Sequence, residues 1–103
     1  MRISYSGRNG AYSGDFGGYC PVQGYGSVQR PRDEEPLAWY FRARGDAWEL
    51  CVGKGEEDSQ YVSTEETIWE TGGPFGKWPD AGWMNDEEVI LRIQTALNEF
   101  LAT

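Results

Sequence analysis

The chain has 103 residues, 39% of them hydrophobic, with five Trp, six Tyr, four Phe, no His and a formal net charge of −8. One domain spanning residues 1–103 is expected, because the length is too short for two ordinary cores, while rings that bury roughly 150–250 Å² each let a short chain assemble one. Lack of histidine removes Ser-His-Asp and Cys-His catalysis and every His-based metal site, and two cysteines, Cys20 and Cys51, complete neither a tetrahedral zinc site nor a C-x-x-C redox motif.

Charge is unevenly distributed. Residues 1–54 hold seven basic and six acidic groups, whereas residues 55–103 hold two basic and eleven acidic ones, giving +1 and −9. That imbalance disfavours direct nucleic-acid binding, which draws on positive potential, and suits attraction to a basic protein. A solubilising acidic surface is the simpler explanation of the same numbers. No apolar run approaches the roughly 20 residues of a membrane-spanning helix. Residues 1–6 lack the apolar segment of a secretory signal, so a cytoplasmic location with both thiols free is expected.

Ile3 and Tyr5 alternate with Ser4 and Ser6, a short first-strand signal. Residues 7–18 are glycine-rich and read as a loop without any phosphate-binding fingerprint. A second strand is expected between Tyr19 and Gln29, interrupted or bulged by Pro21, Gly24 and Gly26. Leu37, Trp39, Phe41 and Ala43 then alternate with Ala38, Tyr40, Arg42 and Arg44, and Trp48, Leu50 and Val52 alternate with Glu49 and Cys51 on a return strand. Gly45-Asp46 between them fits a two-residue turn, which also accounts for the adhesion-like Arg44-Gly45-Asp46 tripeptide. This hairpin predicts a register of Ala43 opposite Trp48, Arg42 opposite Glu49, Phe41 opposite Leu50 and Tyr40 opposite Cys51, with an Arg42–Glu49 pair on the polar face.

Residues 53–60 form an acidic connection, followed by Tyr61-Val62 and a short strand around Thr67-Ile68-Trp69; residues 70–84 read as a third loop-rich segment with aromatic anchors. The final helix is the clearest element. Asn85 caps it, Glu88 holds the capping-box position, and Met84 and Val89 have the spacing of a hydrophobic staple. Val89, Ile90, Ile93, Ala96, Leu97, Phe100 and Leu101 make its apolar stripe. The fold class that follows is α+β, a small twisted antiparallel β-sheet packed against a C-terminal α-helix.

No linear pattern spells catalysis, cofactor binding or metal ligation, so a binding protein is expected rather than an enzyme, with no cofactor. The leading expectation is an acidic inhibitor or modulator that binds the basic surface of a nucleic-acid-processing complex, of the anti-CRISPR or DNA-mimic type, encoded by a phage and acting in the host cytoplasm. Its contacts would come from Glu56, Glu57, Asp58, Glu65, Glu66, Glu70, Asp80, Asp86 and Glu87, which can compete with phosphates for Arg and Lys. Tyr40, Arg42 and Arg44 form a second candidate patch, for anions, and Trp78 and Trp83 an aromatic one. The alternative is a housekeeping module that binds a small molecule or protein through the Trp78–Trp83 loop. A carboxylate-based hydrolase is third. An exposed sheet edge or aromatic patch leaves a homodimer open.

Overall fold

Alternation with period two marks most of the described strands, and a computed structural model describes residues 1–19, 21–54, 67–75 and 84–103. The strands are β1 (Arg2–Gly7), β2 (Gly10–Gly17), β3 (Val22–Gln29), β4 (Leu37–Arg44), β5 (Ala47–Gly53) and β6 (Thr67–Pro74), followed by helix α1 (Asp86–Leu101). They form one open sheet in the order β1-β2-β3-β4-β5-β6, with all neighbours antiparallel. The α+β architecture is therefore as the sequence implies.

The β4–β5 hairpin has the expected register, with Ala43 opposite Trp48, Arg42 opposite Glu49 and Trp39 opposite Val52. Gly45 takes φ +65 in its turn, a conformation that a Cβ would penalise. Two segments differ from expectation. Residues 10–17, read as a loop, form β2, because Tyr12, Gly14 and Phe16 all face the core while Ser13 and Asp15 face out. The strand in residues 67–69 continues to Pro74. Gly24 and Gly26 do not interrupt β3, whose register runs unbroken on both sides.

Those glycines serve packing. One transverse row of the inner face reads Ile3, Gly14, Gly26, Trp39, Val52 and Trp69 from β1 to β6. The indole of Trp39 reaches across β3 to β2, where its Nε1–H donates to the carbonyl oxygen of Ser13 at 3.1 Å. A Cβ on Gly14 would lie 2.5 Å from Cζ2 of Trp39, and one on Gly26 would lie 2.6 Å from the Gly14 Cα. Both positions must be bare for the ring to lie there and for the two strands to approach. Gly24 clears space in the next row, where a Cβ would stand 3.0 Å from Phe16 Cβ and 3.4 Å from Ile93 Cδ1.

Helix α1 covers this face only. The Asn85 side chain accepts from the Glu88 backbone N–H at 2.9 Å, satisfying one of the helix's free donors. Met84 and Val89 are both buried, as a staple requires. Val89, Ile93, Ala96, Leu97, Phe100 and Leu101 are buried and Ile90 is partly so, with Phe100 meeting Trp69 edge-on at 5.5 Å. The helix has no basic residue in its last turn. Arg30 supplies the missing positive group: its guanidinium lies 4.5 Å from the Phe100 ring, donates to Thr103 Oγ1 and forks onto the Asp33 carboxylate. Asp33, from the acidic run before β4, is thus a structural clamp, and the hydrogen bond from Arg30 holds its carboxyl below the ordinary value.

Replacing Gly26 by Ala should lower stability by about 1–3 kcal/mol through overpacking. Gly17→Ala, at a position where a Cβ meets nothing within 4 Å, should stay within about 0.5 kcal/mol of the parent. Urea unfolding midpoints compare the two, and equal losses would refute the corridor.

Candidate functional surfaces

The sheet has a second face that no described element covers. Its transverse rows follow from the register: Arg2, Asp15, Tyr25, Tyr40, Cys51 and Glu70 form one, and Gln23, Arg42 and Glu49 lie in the next. Toward the other end, Ser4, Ser13, Ser27 and Ala38 leave a flat floor of small side chains. This face is polarised, with arginines on β4 and carboxylates on β5 and β6.

The Tyr40–Arg42–Arg44 patch lies on this face as expected. Gln23 Nε2 donates to the Tyr40 hydroxyl at 2.7 Å, which orients the phenol. Arg44 is exposed. The expected Arg42–Glu49 pair is only half realised: the residues are opposite in register, yet no ion pair joins them among the described residues, and Arg42 Nε is buried without an acceptor. Register fixes which strand positions are opposite; it does not make two flexible side chains meet.

Cys51 is a free, half-buried thiol opposite Tyr40 on one side and Glu70 on the other. Burial pushes its pKa up, the Glu49 and Glu70 charges push it further, and a hydrogen bond with Thr67 opposes them. This is an inert environment for a thiol rather than one that activates a nucleophile. Cys20 lies outside the described residues.

The acidic candidates divide. Glu70 belongs to the uncovered face of β6, whereas Asp86 and Glu87 are exposed in the first turn of α1, on the opposite side of the sheet. The three therefore do not share one surface. Glu56, Glu57, Asp58, Glu65, Glu66 and Asp80, together with Trp78 and Trp83, lie outside the described residues. Among the described residues, no group of three or more Asp, Glu or Cys side chains converges to hold a metal ion. No described helix is long and apolar enough to cross a membrane.

Helix α1 also shows a residue that the periodicity reading passed over. Leu91 is 59% exposed, although every other large apolar side chain of the helix is at least partly buried. It lies one turn beyond Glu87 on the solvent side. Arg92, its neighbour, turns back to the sheet, 3.5 Å from Glu88 and 5.6 Å from the Trp48 ring. The solvent face of α1 thus combines Asp86, Glu87 and Glu99 with one apolar knob. The signal was present in the sequence: Leu91 is the helix leucine that falls outside the apolar stripe.

No family model matches this chain, and no curated protein or solved structure matches it.

Neutralising Glu70 should draw the Cys51 pKa down and raise its thiolate fraction. In a Cys20→Ser background, Glu70→Gln should therefore be alkylated by iodoacetamide faster than the parent at about pH 8, below the ordinary thiol value of about 8.5; an unchanged or slower rate would contradict this electrostatic account.

Proposed function

We propose that the chain is a small acidic modulator that binds a basic protein surface, using the solvent face of α1 as part of its contact. The observation that carries this reading is the exposed Leu91 one helical turn from Glu87, on a helix whose first turn also exposes Asp86. An apolar side chain that is desolvated on binding supplies affinity, while surrounding carboxylates select a positive partner and steer encounter. The excess of nine negative charges in residues 55–103 supports the same sign of partner. Proteins that hold nucleic acid in Arg- and Lys-rich grooves are the natural class, because carboxylates compete there with phosphates. Inhibition of the anti-CRISPR or DNA-mimic type, by a phage protein in its host's cytoplasm, is the most specific form of this proposal.

Acids in a first helical turn are also favoured by the helix dipole, which accounts for Asp86 and Glu87 without any partner. It does not account for Leu91. The housekeeping alternative based on Trp78 and Trp83, and hydrolysis by a carboxylate pair, have no comparable observation among the described residues.

The test is affinity capture from the native host with a nuclease-treated control, followed by titration of the captured protein. Leu91→Ala should weaken binding about tenfold, near 1.4 kcal/mol, without moving the unfolding midpoint. Joint reversal of Asp86 and Glu87 to Lys should weaken it further and reduce its salt dependence. Binding that ignores all three substitutions, or capture of a small metabolite alone, would overturn the proposal.

A further inference from the structure

The two edges of the sheet are built differently. Edge strand β6 carries the devices that discourage pairing: Pro74, the charged Glu70, and a register shift at Val52/Gly53 that leaves Ile68 between the paired residues Thr67 and Trp69. Edge strand β1 carries none of these. Its register with β2 is unbroken, it contains no proline, and its one charge, Arg2, is matched by Asp15 at 3.1 Å. Among the described residues, no strand pairs with its outer side.

The Met1 amine donates to the Phe16 carbonyl oxygen at 2.7 Å, and the Phe16 N–H donates to the Met1 carbonyl oxygen at 2.8 Å. Met1 and Phe16 are thus a doubly hydrogen-bonded pair, and such pairs alternate along an antiparallel ladder. Ile3 with Gly14, Tyr5 with Tyr12 and Gly7 with Gly10 follow in the same phase. The N–H and C=O groups of Arg2, Ser4 and Ser6 therefore point away from β2, toward the free edge.

This set is self-complementary. Two β1 strands placed antiparallel about a two-fold axis at Ser4 put Ser4 opposite Ser4 and Arg2 opposite Ser6, each as a hydrogen-bonded pair, so about six backbone bonds form and every outward group is used. In the same register, Ile3 of one chain lies opposite Tyr5 of the other on the helix-covered side of the sheet. Tyr5 is 44% exposed in the single chain and stacks on Tyr12 at 5.3 Å, so pairing extends an existing aromatic cluster. Arg2 meets a serine rather than its own copy, and no like charges oppose each other.

We propose that β1 is a homodimerisation edge, joining two copies of this chain into a continuous twelve-stranded antiparallel sheet with Ser4 on the axis. A strand about 20 Å long buries less than the roughly 1,200–2,000 Å² of stable interfaces. The dimer is consequently weak and concentration-dependent. Its formation is independent of the partner proposed for α1.

Sedimentation from about 1 µM to about 1 mM should show a monomer–dimer equilibrium for the parent chain. Ser4→Pro removes an outward N–H and none of the β1–β2 bonds, so it should abolish the dimer while the circular dichroism and unfolding midpoint remain. Ser4→Lys and Ser4→Glu each place like charges across the axis. Each alone should dimerise several-fold more weakly, and an equimolar mixture should form the mixed dimer. A parent chain that stays monomeric throughout, a Ser4→Pro variant that dimerises like the parent, or a mixture with no preference for the mixed species would overturn the proposal.

Discussion

The packing of Trp39 over Gly14 and Gly26 is the constraint on which the rest of this fold depends. Its ring spans from β4 to β2, and its Nε1–H is satisfied by the Ser13 carbonyl. A buried indole donor without an acceptor would cost on the order of 1–3 kcal/mol, so the ring's position and the strand's position specify each other. The glycines lose more backbone freedom on folding than other residues. Filling their side-chain space with the largest ring in the core offsets that loss.

From that contact follows the two-layer arrangement. β3 contributes no side-chain volume in the two central rows, where Gly24 and Gly26 stand, and β2 is bare at Gly14, so the volume there comes from Trp39, Phe16, Phe41 and Ile93. One helix suffices to cover such a surface. The other face is left with serines, tyrosines and charges, as one-sided antiparallel sheets commonly are. Charge follows the same division: Arg42 and Arg44 lie on β4, Glu49 and Glu70 beyond it, and the helix adds Asp86, Glu87 and Glu99 on the far side of the sheet. Three separate surfaces result: the solvent face of α1, the polarised bare sheet face and the β1 edge.

Legibility in the sequence tracked how directly side-chain volume reported burial. In the β4–β5 hairpin every inner position carries its own apolar or small side chain and Gly45-Asp46 marks the turn, so alternation fixed the register residue by residue. The helix announced its start through Asn85 and its buried face through spacing. β2 was not legible as a strand because Gly14 breaks the apolar alternation between Tyr12 and Phe16, its space being filled by a residue 25 positions away. β6 ran past its expected end for a related reason: Gly72 and Gly73 resemble turn residues, yet they pair with Glu49 and Trp48. For the surfaces, residue type, strand face and the place of Leu91 outside the helix stripe were readable, but the open Arg42–Glu49 geometry depends on packing in three dimensions.

The central claim is that Trp39 holds β1 and β2 to the remainder of the sheet, and native-state hydrogen exchange of a Trp39→Phe variant tests it most directly. Phe lacks the Nε1 donor and leaves part of the glycine corridor unfilled. The expected result is that amides of β1 and β2 lose protection while those of the β4–β5 hairpin and α1 retain most of theirs. Undiminished protection in β1 and β2, or an equal loss in every strand, would contradict the account.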